Sequence, residues 1–224
     1  MLKKLSLTLI LLSVSATCAA QSFRVPSVDE SRAKKWDLSF NLLRTESEST
    51  SGTNGSGLDV DSETGWGFSI AYNLNSRIGL GFDFSSVRPD YTATLVDEDG
   101  EVTKISHTLS VSTGQFKGIW NILEGNFTPF VEGGLGWTYI DSNVASEPPI
   151  TGCWWDPFWG WICGSFFNTY SDTSFSYGGG LGLRWQVTPR FYLRGAYNLL
   201  KIDLSSSAGD PQLDSWRVDI GTSF

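Results

Sequence analysis

The chain has 224 residues, of which 40% are hydrophobic, 14% aromatic and 18% charged, with a net charge of −8. An acidic protein of this kind is not expected to bind nucleic acid. Beyond the N-terminus, no stretch approaches the roughly 18 consecutive apolar residues of a membrane-spanning helix. A membrane-spanning β-barrel remains open, because its strands are apolar only at alternate positions.

The first 20 residues, MLKKLSLTLILLSVSATCAA, have the layout of a secretory signal peptide. Two lysines precede an apolar run that is too short to span a membrane, and small residues follow up to Ala20. We expect cleavage after Ala20 rather than lipid attachment at Cys18. Residues 21–35 then form a polar leader on the periplasmic side.

Eight segments of the mature chain alternate apolar and polar residues, which is the period of a strand with two unlike faces. The first reads WDLSFNL and the last WRVDIGTSF. The segments are residues 36–42, 66–74, 78–84, 116–122, 131–139, 175–187, 191–199 and 216–224. Short connections alternate with long loops at about residues 45–63, 85–108, 141–173 and 202–214. The pattern predicts an all-β fold, an eight-stranded antiparallel up-and-down transmembrane β-barrel over residues 36–224.

Aromatic residues distinguish this barrel from a soluble β-sandwich. They lie on the apolar phase near strand ends, where a bilayer favours amphipathic rings at the headgroup level. One predicted belt, at the periplasmic end, contains Trp36, Tyr72, Trp120, Trp185, Phe191 and Phe224. The other, at the outer end, contains Trp66, Phe84, Trp137, Tyr139, Phe175, Tyr177 and Trp216. A sandwich has no physical reason to sort its rings into two belts.

The opposite phase of the strands contains four acidic and four basic residues. They are Asp37, Asp83, Lys117, Glu132, Arg184, Arg194, Arg217 and Asp219. The interior of an eight-stranded barrel is just wide enough to be filled by side chains, and unpaired buried charge is costly. We therefore predict that these residues form a paired charge network that plugs the lumen.

Residues 153–163, CWWDPFWGWIC, concentrate aromatic rings between two cysteines. Export to an oxidising compartment and loss of Cys18 with the signal peptide predict a disulfide between Cys153 and Cys163. The rings of Trp154, Trp155, Phe158, Trp159 and Trp161 allow two compatible interpretations. They form a lid over the outer mouth, or they form a preorganised apolar surface that binds a small hydrophobic molecule, an acyl chain or a protein.

Catalytic and metal sites are not predicted. His107 stands in ISHTLS, and the neighbouring Ser110 lies one position late for a His-x-Ser pair, which places it on the other face of a strand. The acidic stretches 97–101 and 59–63 do not match the spacing of a calcium loop, so we interpret them as solvated loops. We expect no cofactor.

Residues 36–224 resemble the small eight-stranded outer-membrane barrels of Gram-negative bacteria, the OmpW-like and OmpA-like group. The resemblance rests on residues 127–137, FTPFVEGGLGW, and on a last strand that ends in Phe224, with Ile220 and Val218 on the same face. It implies that the outer-membrane assembly machinery reads these three residues. It also implies a monomer surrounded by outer-membrane lipid and lipopolysaccharide.

The function that we expect is non-enzymatic: interaction with, or handling of, small hydrophobic molecules at the cell surface through the tryptophan-rich loop. The alternatives are a structural barrel that stabilises the envelope, and an adhesin. A lipid-modifying enzyme is disfavoured by the displaced serine beside His107.

Overall fold

The computed structural model describes residues 32–51, 55–96, 101–146, 148, 150–203 and 212–224. The predicted signal peptide, the leader up to residue 31 and the acidic turn at 97–100 lie outside the described residues, as do residues 204–211 of the fourth long loop. Among the described residues, no helix has the length and apolarity to cross a membrane.

The described chain forms β-strands joined by turns and loops. In chain order they are β1 (Trp36–Thr45), β2 (Glu48–Ser51), β3 (Gly57–Val60), β4 (Thr64–Asn73), β5 (Ile78–Val87), β6 (Asp90–Val96), β7 (Val102–Thr108), β8 (Ser110–Asn121), β9 (Phe127–Ala145), β10 (Ile150–Asp156), β11 (Gly160–Phe166), β12 (Thr169–Gln186), β13 (Phe191–Asp203) and β14 (Gln212–Ser223).

Eight of these strands close into an antiparallel barrel in the order β1-β14-β13-β12-β9-β8-β5-β4. Strand β1 closes the barrel because it pairs on both sides: Phe40 lies opposite Ile220 of β14 and opposite Phe68 of β4. Each barrel strand lies beside the next barrel strand along the chain, so the topology is up-and-down. The predicted fold class is confirmed.

The two faces of the barrel wall have the polarity expected in a membrane rather than in water. Along β1 the side chains alternate strictly between exposed and buried. Most of the buried positions are polar, as in Asn41 and Asp219 at 0% exposure, whereas the apolar Ile220 is 61% exposed. In water this arrangement would be inverted, but a lipid-facing wall requires it.

Strands β9 and β12 are the longest, with 19 and 18 residues, and they extend into the range that the sequence pattern assigned to the third long loop. Pairing continues from Trp137–Phe175 up to Ala145–Thr169. In the outer parts of β9 and β12 the alternation of apolar and polar residues is weak, so the sequence pattern there indicates a loop. Both faces of the ribbon are in water there, so neither has to be apolar.

Two further sheets lie at the outer end of the barrel. Strands β2, β3, β6 and β7 form a four-stranded sheet, and β10 and β11 form a separate hairpin. The hydroxyl of Tyr91 in β6 donates to the backbone carbonyl of Ser142 in β9 at 3.1 Å. This bond ties the four-stranded sheet to the upper part of the β9–β12 ribbon.

Candidate functional site

The charged residues of the lumen lie in three layers. The first layer is nearest the short turns, which mark the periplasmic end of an outer-membrane barrel. Arg184 Nη1 donates to Asp37 Oδ2 at 2.6 Å, and Ser223 Oγ donates to Asp37 Oδ1 at 2.5 Å. The guanidinium carbon of Arg184 lies 4.0 Å from the centre of the Tyr192 ring. A buried cation therefore contacts both a carboxylate and an aromatic face.

A second layer surrounds Arg194. Its Nε donates to Asp219 Oδ2 at 2.8 Å, and its Nη2 lies 3.3 Å from the hydroxyls of both Ser39 and Ser69. These two hydroxyls also bond each other at 2.7 Å. The layer links four barrel strands through one guanidinium group.

The third layer is a cluster of two cations and two carboxylates. Arg217 donates to Asp83 and to Glu132, each at 3.0 Å. Lys117 Nζ lies 3.1 Å from Glu132 and 3.7 Å from Asp83. Arg217 Nε lies 3.0 Å from Asp219, close enough for an ion pair that joins this layer to the second. The structure thus brings all eight predicted lumen charges into ion pairs.

Aromatic residues complete the plug, and the sequence pattern missed them. Tyr192 and Phe130 point inward and are each 1% exposed. A Cβ on Gly182 would lie 2.8 Å from Phe130 Cζ, and a Cβ on Gly221 would meet the ring of Tyr192. Their inward orientation could have been predicted, because both residues alternate with the lipid-facing positions of their strands.

Arg32 belongs to the described end of the predicted leader and closes the periplasmic mouth. It is 1% exposed, and its Nη2 lies 3.2 Å from the carbonyls of both Leu123 and Gly125 in a short turn. The polar composition of this segment does not by itself predict that Arg32 is anchored to the turn.

Above the charge layers, a small cavity of about 60 Å³ is lined by side chains that include Gln115, Lys117, Asn198 and Arg217. Gln115 Nε2 and Asn198 Oδ1 are buried there without a protein hydrogen-bond partner. Polar cavities of this kind hold water, and this one has room for on the order of four molecules. Within the described strands, side chains fill the lumen and leave no wide pore.

The tryptophan-rich loop is an antiparallel hairpin closed by a disulfide, which we call the Trp hairpin (residues 150–166). Cys153 is bonded to Cys163, and Trp155 lies opposite Trp161 on the same face. At the tip, Asp156 Oδ1 accepts hydrogen bonds from the backbone N–H groups of Phe158 and Trp159 at 2.8 and 3.0 Å. Gly160 adopts a φ of +74°, which favours glycine.

The rings of the Trp hairpin are in solvent. Their exposed fractions are 60% for Trp155, 88% for Phe158, 79% for Trp159 and 75% for Trp161. The side chain of Trp154 lies outside the described residues. Packing of these rings on the barrel rim, as in the lid interpretation, would bury them, so the geometry favours an exposed surface.

The outer end of the barrel around this hairpin is acidic. Its described acidic residues are Glu46, Glu48, Asp59, Asp61, Glu63, Asp90, Glu101, Asp141, Asp156, Asp172, Asp203 and Asp214, against the basic Arg44, Arg88, Lys104 and Lys201. A hydrogen bond from the backbone N–H of Asn143 holds the pKa of Asp141 below its usual value. This carboxylate therefore stays ionised at neutral pH. We call this set of carboxylates the acidic rim.

The predicted assembly signal lies on the lipid-facing side of β14. Val218, Ile220 and Phe224 are 57%, 61% and 66% exposed. The chain end is held to β1, because Trp36 N donates to Phe224 O at 2.8 Å and Phe224 N donates to Trp36 O at 2.9 Å. Recognition of this face during assembly stays a prediction.

His107 lies in the outer four-stranded sheet, with its ring 6.4 Å from that of Tyr91. Successive residues of a strand point to opposite faces, so neighbouring Ser106, which bonds Thr92 at 3.0 Å, lies on the other face. Among the described residues, no hydrogen bond joins His107 to a serine.

A closed barrel with an apolar outer wall and a charged, filled interior defines the class of small outer-membrane β-barrels. The model of the family described as "Outer membrane protein beta-barrel domain" matches residues 7–224. The chain belongs to this family of outer-membrane β-barrel proteins.

Solved structures show the same fold. The attachment invasion locus protein Ail of Yersinia pestis has 14% identity and a TM-score of 0.51, with 86% of this chain and 99% of that chain covered. OprG of Pseudomonas aeruginosa has 14% identity and a TM-score of 0.51, with 86% of this chain and 97% of that chain covered. The neisserial surface protein A has 11% identity and a TM-score of 0.51, with 85% of this chain and 96% of that chain covered. Among curated protein sequences, none is significantly similar to this chain.

Proposed function

We propose that this protein is a non-enzymatic surface-interaction barrel, in which the Trp hairpin binds apolar partners, including small hydrophobic molecules, at the cell surface. The observation that supports the proposal is the exposure of four large rings on a hairpin fixed by a disulfide. Burying one such side chain is worth about 1.5–3 kcal/mol, so leaving four of them in water favours binding of a partner that covers them.

The construction of the hairpin supports binding rather than disorder. A disulfide that closes a short loop contributes about 2–4 kcal/mol by constraining the unfolded chain. The side chain of Asp156 fixes the turn, so Phe158 and Trp159 are held outward before any partner arrives. Preorganisation lowers the entropy cost of binding.

The filled lumen supports a function at the surface rather than transport through the barrel. Arg217, Lys117 and their carboxylates occupy the cross-section, and Arg32 closes the periplasmic mouth. We propose that the barrel is a monomeric support held in outer-membrane lipid and lipopolysaccharide, and inserted by the assembly machinery through its last strand.

A structural role in the envelope is the second candidate, because the ion-pair layers make a rigid barrel that needs no ligand. An adhesin is a form of the first proposal with a macromolecular partner. The Ail crystal contains the heparin analogue sucrose octasulfate. The acidic rim of this chain does not favour a polyanion, so we propose an uncharged apolar partner instead.

The test uses intact cells that express equal membrane levels of each variant. Adhesion to hexadecane droplets and binding of Nile red at the cell surface are compared for wild type, for the set Trp155→Ala, Phe158→Ala, Trp159→Ala and Trp161→Ala, and for cells without the protein. We expect the alanine set to lose most of the protein-dependent signal. If it matches wild type, the surface-interaction proposal is wrong and the structural role is favoured.

A further inference from the structure

The shape of the Trp hairpin restricts what it can bind. Phe158 and Trp159 project from the turn, and Trp155 and Trp161 face outward from a two-stranded ribbon. Binding sites for small molecules are concave and surround most of the ligand. A convex tip buries its rings fully only in a partner that deforms around it, and a fluid bilayer does so.

The polarity of the hairpin restricts the partner further. Asp156 is the one charged residue of the segment 150–166, and one of its carboxylate oxygens already accepts two backbone hydrogen bonds. The polar side chains on the ring-bearing face are Thr151 and Ser165. Glycan and peptide recognition needs more donors and acceptors than these, whereas insertion into lipid needs few.

The chain already uses the same ring chemistry against lipid. Trp137 and Tyr139 of β9, and Phe175 and Tyr177 of β12, stand on the lipid-facing wall near its outer end and are between 40% and 51% exposed. Trp and Tyr prefer the headgroup region because one end of the ring is apolar and the other is polar. The Trp hairpin presents the same residue types on a separate two-stranded sheet.

The ribbon places the hairpin away from the membrane that holds the barrel. Pairing continues from Trp137–Phe175 to Asp141–Ser171 and, after a bulge, to Ala145–Thr169, and Ser146 N then donates to Asn168 O at 2.7 Å. Strand β12 extends six residues beyond Phe175, so at about 3.3 Å per residue and a strand tilt of about 40° the ribbon ends on the order of 15 Å above the outer aromatic belt. The ribbon therefore carries the base of the hairpin beyond the lipid that surrounds the barrel.

We infer that the tip of the Trp hairpin inserts into the headgroup region of a facing phospholipid bilayer with no net surface charge. The inference rests on the proposed surface interaction and names its partner. The acidic rim repels an anionic bilayer, whereas a zwitterionic bilayer leaves the apolar contribution of the rings unopposed. The hairpin thus docks the cell surface onto a second membrane.

The main experiment uses the full-length mature protein in nanodiscs and added phosphatidylcholine vesicles, with co-flotation as the measure of docking. Burial of each tip ring is expected to strengthen partitioning about tenfold, so Phe158→Ser with Trp159→Ser weakens docking by about a hundredfold. The matched control is Phe167→Ser with Tyr170→Ser, which removes two rings of similar type, 52% and 62% exposed, outside the tip. It should stay within about twofold of wild type, because those rings do not enter the bilayer.

A second arm separates the facing membrane from the protein's own membrane. Phosphatidylcholine with brominated acyl chains, which quenches nearby tryptophan, is placed either in the vesicles or in the nanodisc. We expect quenching from the vesicles in wild type and much less in the tip variant. Tip-dependent quenching that comes only from the nanodisc lipid overturns the inference, as does equal docking of the tip variant and its control.

Charge and the proposed function are tested in the same assay. Vesicles that include phosphatidylglycerol should dock more weakly, and added salt should reduce the difference by screening. Tighter docking to these anionic vesicles contradicts the inference. If adhesion to hexadecane depends on the tip but vesicle docking does not, the surface-interaction proposal stands and the bilayer inference fails. If neither depends on the tip, both fail.

Discussion

Arg217 and Glu132 form an ion pair inside the barrel, with the two side chains 4% and 1% exposed and 3.0 Å between Nη2 and the carboxylate. They come from β14 and β9, which are not neighbours in the wall, so the pair spans the lumen. Arg217 also contacts Asp83 and Asp219, and it is therefore the residue that connects the upper two charge layers.

Removing this cation should destabilise the barrel strongly. Arg217→Ala leaves the carboxylates of Asp83 and Glu132 with only Lys117 as a partner, and breaking a buried pair typically costs about 3–5 kcal/mol. Urea unfolding in detergent, followed by the mobility shift of unheated samples, measures the change. The control is Arg77→Ala, which breaks an exposed pair with Glu124 and should cost about 0–1 kcal/mol. Equal urea midpoints for the two variants would show that the ion-pair network contributes little to the stability of the barrel.

Tyr192 should fit the lumen only because residue 221 is glycine. Gly221→Ala places a Cβ against the ring of Tyr192, and overpacking of this kind costs about 1–3 kcal/mol. Gly195→Ala is the control, since a Cβ there meets nothing within 4 Å. When Tyr192→Leu is combined with Gly221→Ala, the smaller side chain should restore part of the free energy of unfolding that Gly221→Ala removes. A double variant that is no better than the sum of its single changes would argue against this contact.

The barrel and its charge residues could be predicted from sequence because a period of two separates lipid-facing from lumen-facing positions. The partners within the network could not, since pairs such as Arg184 and Asp37 lie far apart along the chain and meet only once the barrel closes. Phe130 and Tyr192 were missed because the pattern treats the inner face as polar. A narrow barrel instead fills space with whatever side chains fit.

The sequence also does not determine whether the rings of the Trp hairpin are exposed or packed on the barrel. A lid and an exposed surface require the same aromatic residues and the same disulfide. The difference lies in whether the rings pack on the barrel rim. Local composition does not determine this, and the exposures of Phe158 and Trp159 distinguish the two interpretations.

Deleting Phe224 should reduce insertion into the outer membrane. The side chain lies on the apolar, lipid-facing side of the last strand with Val218 and Ile220, at a membrane interface where such barrels carry aromatic girdles. The amount of protein in outer-membrane fractions measures the effect. Phe127→Ala, which removes a ring with 57% exposure from another strand, is the control and should insert normally. Normal levels of the Phe224 deletion would contradict the assembly role of this residue.

Cys153→Ser combined with Cys163→Ser should leave the barrel intact and loosen only the Trp hairpin. The hydrogen bonds of the barrel close on themselves, and none of its strands includes residues 150–166. A two-stranded hairpin alone is at best marginally stable in water, so without the disulfide its rings lose their fixed positions. We expect an unchanged heat-dependent gel shift, faster chymotrypsin cleavage near Trp159, and adhesion to hexadecane between that of wild type and the alanine set. Wild-type cleavage and adhesion in the double serine variant would show that the turn at Asp156 and the strand pairing hold the hairpin without the disulfide.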